Sequence, residues 1–321
     1  MSEERLAGID ALRVVAFVFV VALHADRTAL PEAVVIALET IPRFGVPYFF
    51  LVAGYFLKVE ETTLPALLSR LVTRLVPIYL FWVLVYLGVH KLLIGDFGIS
   101  KLGALLIDGG PGYHLWFLPA FGISILTVFL LARRFGDQVM LASCLLLFIV
   151  GLYFIELLAP FGPALPWKLF RNGPFFGAIF VALGFLIRKR RWRPRPPAAL
   201  LLLLAELGVS LGERFVLSSA GLIAPTESIN DTLGTLAYGA GAFSLAVSLP
   251  SGGASLRALA EIGRYTLGFY CIHLVFLWLV QAMLGPPSGT TLLIAISTTS
   301  ALSIAATLVL SHVPGLARFI R

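Results

Sequence analysis

The sequence predicts an all-α integral membrane protein, a bundle of about ten transmembrane helices with both termini cytoplasmic, residues 1–321 forming a single polytopic domain. Three observations carry this prediction. Hydrophobic residues make up 59% of the chain and charged residues 13%, with a mean hydropathy of +0.96, whereas soluble domains carry about 25% charge. Apolar runs of about 20 residues, enough to cross about 30 Å of hydrocarbon, recur along the whole length. Lys and Arg fall unevenly in the segments between those runs.

The first span is placed at 9–30. Met1 to Arg5 is short and mixed in charge, and no small-residue cleavage site follows, so the run reads as a permanent span rather than a secretory signal. Spans at 42–58 and 71–94 follow. Asp108-Gly109-Gly110-Pro111-Gly112 then separates the third span from the fourth, at 114–132. The fifth is at 138–158, and Pro160 to Pro166 breaks it from the sixth at 170–187. Pro194, Pro196 and Pro197 precede the seventh, at 197–217. The eighth and ninth are at 231–249 and 264–284, and Gly285-Pro286-Pro287 precedes the tenth at 290–312.

Charge tests the orientation. With the N-terminus inside, the cytoplasmic segments hold 17 of the 24 basic residues, including Arg5, Arg13, Arg70, Arg74 and the run from Arg188 to Arg195. Seven remain outside: Arg27, Arg43, Lys91, Lys101, Lys168, Arg171 and Arg214. The positive-inside rule favours this arrangement. The chain is expected to be a multi-pass protein of the plasma (inner) membrane, in contact with membrane lipids. The net charge of +7 is therefore assigned to topology, not to nucleic acid. Cys144 and Cys271 both sit inside apolar runs and read as free thiols, and no metal-ligand spacing is present.

The first span carries the costliest residues. Arg13 and His24 are eleven positions apart, only about 20° off three full turns, so they share one helix face about 16 Å apart along the axis. Asp10 lies one turn before Arg13 and can pair with it. Ionisable groups inside a span usually face the protein interior or a water-filled path. Imidazole takes and returns a proton near neutrality and suits a general base. Guanidinium keeps its charge and suits a phosphate or carboxylate. Taken singly, Arg13 also reads as a residue snorkelling to the interface, and His24 as a histidine hydrogen-bonded to a neighbouring helix or lying at the outer interface.

These residues bring a known family into view. Ile9-Asp10-Ala11-Leu12-Arg13 with His24 resembles the arginine, ten residues, histidine signature of the membrane-bound acyltransferase 3 family. Four further stretches follow in family order: Phe44-Gly45-Val46-Pro47-Tyr48-Phe49-Phe50 through Gly54-Tyr55, Arg70 to Pro77, Tyr113-His114-Leu115-Trp116-Phe117-Leu118, and Tyr265 to His273. Arg171-Asn172-Gly173 resembles the subgroup that acylates surface polysaccharides. The departures are Ala53, where the family usually has serine, Arg70 and Arg74 four apart rather than three, and no glutamate after Trp116.

The resemblance implies an acyl-CoA-dependent O-acyltransferase. It would move an acetyl or other short acyl group from cytoplasmic acyl-CoA, a co-substrate and not a tightly bound cofactor, to a hydroxyl of a surface polysaccharide or its lipid-linked precursor. His24 and Asp10 would be catalytic, with Asp10 orienting Arg13. Arg13, Arg70 and Arg74 would bind the CoA phosphates, and Trp116, His114, Arg171 and His273 would serve the substrate. The same charged residues fit a transporter or flippase of a polar or lipid-linked solute.

Overall fold

The computed structural model describes residues 6–93, 95, 103, 105, 109–153, 171, 173–224, 226, 232–250 and 253–320. Among these residues every regular element is helical and no strand occurs. The α-helices are α1 (Ala7–His24), α2 (Glu32–Thr40), α3 (Gly45–Tyr55), α4 (Leu64–Leu93), α5 (Phe117–Gly151), α6 (Pro174–Lys189), α7 (Pro196–Ser219), α8 (Leu233–Ser248), α9 (Ala254–Gly263), α10 (Thr266–Met283) and α11 (Gly289–Leu310). Short 3-10 turns at Ile41–Phe44 and Tyr113–Trp116 lead into α3 and α5.

Six of the described helical segments are long and apolar enough to cross a membrane: 7–24, 32–55, 64–93, 113–151, 266–283 and 289–310. The 113–151 segment is interrupted at Gly136, whose φ of 80° and ψ of 176° are not helical. Glycine reaches that φ without a Cβ clash, so the break falls between the predicted fourth and fifth spans. Two helices were not anticipated. α2 extends the second span back to Glu32 through Pro42, which sits in the 3-10 turn. α9 lies in what reads as a polar connection, because its apolar residues occupy only one face. The predicted Pro160–Pro166 break, Lys101, Lys168 and Asn172 lie outside the described residues.

The described chain forms two compact units, one holding the residues up to Phe49 and from Arg191 onward, the other Phe50–Arg190. In the first unit α1 is buried along most of its length. Its start is gripped by backbone on two sides. A Cβ on Gly8 would lie 2.2 Å from the Ala246 carbonyl oxygen of α8, and one on Gly263 of α9 would lie 1.9 Å from the Asp10 carbonyl oxygen. Without a hydrophobic drive between helices in lipid, such close approach of small residues supplies the packing. Tyr48 adds a hydrogen bond from its hydroxyl to the Ile9 carbonyl at 2.8 Å. Further along, Phe17 packs on Phe269 of α10 with ring centroids 5.4 Å apart. These contacts fix the rotation of α1 and so the direction of its ionisable stripe.

In the second unit α3 ends against α6 by the same device. A Cβ on Gly54 would meet the Val181 carbonyl oxygen at 1.9 Å, and one on Gly184 would meet that of Leu51 at 2.0 Å. Arg133 of α5 donates to the Thr62 carbonyl at 2.7 Å, tying the start of α4 to α5. Lys189 of α6 pairs with Asp137 at 2.9 Å.

Candidate functional site

The ionisable stripe of α1 is assembled by local helix geometry. Asp10 and Arg13 are three apart, hence on one face, and Arg13 Nη1 donates to Asp10 Oδ1 at 2.6 Å. The Asp10 side chain is 6% exposed and that of Arg13 24%. The carboxylate is therefore buried while the guanidinium keeps a way out. The backbone of Asp10 is clamped by Gly263, so the pair is held from behind.

At the other end of α1, His24 Nδ1 lies 2.7 Å from the Val20 carbonyl oxygen. A carbonyl only accepts, so Nδ1 carries the hydrogen and, in the neutral ring, Nε2 holds the lone pair. His273 repeats the arrangement on α10, its Nδ1 2.6 Å from the Tyr270 carbonyl oxygen. The two imidazoles are in contact, centroids 5.2 Å apart, and Phe17 closes on His273 from below at 6.1 Å. His273 is fully buried. Two predicted residues from opposite ends of the chain thus form one constellation with Phe17 between them and the Asp10–Arg13 pair.

The remaining predicted residues belong to the second unit. Arg70 and Arg74 are exposed on α4, one turn apart on the same face. His114 and Trp116 lie in the 3-10 turn ahead of α5 and are both buried. The Arg171 guanidinium sits over the Trp116 ring at 4.7 Å, within cation–π range, and the His114 ring meets that of Tyr86 at 5.1 Å. Arg171 thus meets Trp116 of the fourth motif, a contact that the spacing in the sequence does not give.

Sequence reasoning missed a further cluster in the first unit. Glu39 of α2 pairs with Arg27 at 2.7 Å and with Arg43. Arg43 Nε also donates to the Glu39 carbonyl at 2.9 Å, and Arg27 Nη2 donates to the Leu23 carbonyl at 2.9 Å. Glu39, Arg43 and, on α7, Arg214 are all buried. The one signal available was that Arg27, Arg43 and Arg214 are three of the seven basic residues left on the less basic side. Two further acidic residues of α7 act otherwise. Glu213 accepts from the Leu233 and Gly234 backbone N–H groups and caps α8, and Glu206 lies against the α8 backbone at Gly241. Among the described residues no group of His, Cys, Asp or Glu is placed to hold a metal ion, and Cys144 and Cys271 are buried free thiols.

Comparison with known proteins gives a family. A family model described as an acyltransferase domain, acyltransferase 3, matches residues 6–311. Among curated proteins the chain is similar to a serine/alanine racemase of Enterococcus gallinarum, 31% identical over 237 residues, 65% of this chain and 33% of that protein. It is also similar to two amino-acid racemases of Enterococcus faecalis. One is 31% identical over 205 residues, 57% of this chain and 29% of the relative. The other is 26% identical over 198 residues, 56% and 28%. The chain thus spans about a third of the length of the curated relatives it matches. No solved structure matches. With the family model covering nearly all of it and several of its helices able to cross a bilayer, the chain belongs to the membrane acyltransferase 3 family.

Proposed function

We propose that this membrane acyltransferase moves an acetyl or other short acyl group from cytoplasmic acyl-CoA to a hydroxyl of a surface polysaccharide or its lipid-linked precursor. The observation that supports this best is the pair of fixed groups on one face of α1: Arg13 held by Asp10 at one end, and His24 with Nδ1 committed to a carbonyl at the other. Arg13 is the anion anchor for a CoA phosphate, with Asp10 as its positioning residue, and Arg70 and Arg74 offer the same chemistry on α4. His24 Nε2 takes the proton of the acceptor hydroxyl as its oxygen attacks the thioester carbonyl. The carbon–sulfur bond breaks, the thiolate leaves, and the imidazolium returns a proton to it. In the alternative covalent route Nε2 itself attacks the carbonyl and the acyl group passes from His24 to the acceptor. Release of CoA without acceptor, at one equivalent per protein, distinguishes that route. In this reading the helices on either side of Gly136 cross the plasma membrane separately, making ten spans with both termini cytoplasmic.

The test is acetyl-CoA turnover by purified protein. Loss in His24→Ala with retained thermal stability is expected; full transfer by that variant would end the assignment. A second reading, transport of a small polar solute, draws on the racemase names of the relatives: the solute would be an amino acid such as serine or alanine. It predicts uptake into proteoliposomes and no acetyl-CoA-dependent stabilisation, whereas the transferase reading predicts stabilisation by acetyl-CoA that Arg13→Ala abolishes.

A further inference from the structure

Close backbone approaches fix which helix ends of the first unit lie together. A Cβ on Gly8, at the start of α1, would meet the Leu249 Cβ just past α8 at 3.0 Å. α7 and α8 run antiparallel, because Gly234 faces Ser210 and Gly241 faces Leu203, so α7 starts where α8 ends. α9 lies against Asp10 through Gly263, and Ile320 lies against Gly268 near the start of α10. The segments 191–195, 254–264 and 316–320 therefore share one end of the unit, the end at which α1 begins.

That end is cationic. It carries Arg191, Arg193, Arg195, Arg257, Arg264 and Arg318, all exposed. Among the described residues its one exposed acid is Glu261, paired with Arg264 at 2.8 Å. At the opposite end Arg27, Arg43 and Arg214 are accompanied by Asp26, Glu32, Glu39 and Glu213, so the excess of positive charge is one-sided. Among the described residues no carboxylate pairs with Arg191, Arg193 or Arg195. Trp192 stands between them, 53% exposed. Arg191 has a φ of 51°, the one described non-glycine residue with a positive φ. That conformation favours glycine, so a charge is kept where the turn alone would take none.

An orientation signal needs only charge; it needs no exposed indole. An indole among guanidinium groups suits a lipid interface, where its apolar ring meets the chain ends and its N–H meets the headgroups. The guanidinium fork matches phosphate oxygens with two parallel hydrogen bonds. α9 adds an amphipathic surface at the same end, with Ala260 and Gly263 buried and Arg257 and Glu261 turned outward. We propose that this end of the first unit binds anionic lipids of the leaflet it faces, with Arg191, Arg193 and Arg195 on the phosphodiester headgroups and Trp192 beside the chain ends. A soluble phosphate would satisfy the arginines and leave the indole unused, which favours the lipid as the source. The proposal does not rest on the transferase reading.

The full chain is placed in phosphatidylcholine nanodiscs that contain a minor fraction of either phosphatidylglycerol or phosphatidylcholine brominated near the headgroup end of its chains, and tryptophan quenching is measured. The part due to Trp192 is the difference from Trp192→Phe. At physiological salt brominated phosphatidylglycerol should quench Trp192 about two- to fivefold more than brominated phosphatidylcholine does. In about 1 M KCl, where the Debye length falls to about 3 Å, the two should converge. Replacing Arg191, Arg193 and Arg195 together by Gln should also remove the excess. Those arginines bear on orientation as well, so the unsubstituted protein at high salt supplies a readout that needs no variant. Equal quenching by the two lipids at physiological salt overturns the proposal and leaves the arginines as an orientation signal alone. An excess that survives high salt or the Gln variant overturns it too. No acyl-CoA is present, so the outcome is separate from that of the transfer assay.

Discussion

The imidazoles of His24 and His273 meet edge to face, their centroids 5.2 Å apart and their planes at 63°. Each Nδ1 rests on a carbonyl of its own helix, so both rings have a fixed orientation and only Nε2 of each is placed to exchange a proton. His24→Ala should lower acyl transfer by about 10²–10⁴-fold, the range of a lost general base. His273→Ala should cost less. The double variant should be no slower than His24→Ala alone, because a residue that acts through His24 has nothing left to support. Initial rates of CoA release from the four proteins check this. Losses that multiply would make His273 an independent participant.

Asp10 holds Arg13 at 2.6 Å from a buried position. Asp10→Asn keeps the shape and removes the charge, so stability should fall by roughly 1–3 kcal/mol and the KM for acyl-CoA should rise more than kcat falls. Arg13→Lys keeps the charge and loses the planar fork. It should retain part of the donor affinity that Arg13→Ala loses. Steady-state kinetics with acyl-CoA varied separates the two effects: a kcat defect with unchanged KM in Asp10→Asn would place Asp10 in the chemical step instead of behind Arg13.

How much of this was legible follows from where each signal lives. The Asp10, Arg13 and His24 stripe was legible because helix period alone puts residues three and eleven apart on one face. The contact of His24 with His273 was not, since it depends on the rotation of α10 about α1, set by Phe17 on Phe269. Both residues were named, but nothing in the spacing joined them. Glu39 with Arg43 and Arg214 was invisible for a related reason. Each charge reads singly as a residue at or beside a span end, and only the convergence of α2, α7 and α8 brings them together. α2 and α9 were missed because α2 is only nine residues long and leads through a 3-10 turn into the next helix, and α9 is ten residues long and buries only one face.

Gly263 tests whether α1 needs the clamp behind Asp10. A methyl group there would lie 1.9 Å from the Asp10 carbonyl oxygen, and backbone cannot yield as a flexible side chain does. Gly263→Ala should therefore destabilise the protein by about 1–3 kcal/mol and weaken acyl-CoA binding by displacing Arg13. Gly88 of α4 has nothing within 4 Å of such a methyl, so Gly88→Ala should leave the melting temperature unchanged or raise it. Equal effects of the two substitutions would show that the approach of α9 to α1 contributes nothing specific.

The last prediction concerns the second unit, where the Arg171 guanidinium lies 4.7 Å from the centroid of the Trp116 ring. Trp116 is buried, and its ring also meets Phe176 at 6.1 Å, so the aromatic face is fixed before the cation arrives. A cation over such a face contributes about 0.5–1 kcal/mol when exposed and about 2 when desolvated. A double-mutant cycle with Trp116→Leu and Arg171→Gln should give a coupling of that size in denaturant stability. Trp116→Leu alone should cost more than the coupling, because it also removes packing against Phe176. If the coupling is near zero, the stacking does not hold Arg171 in place.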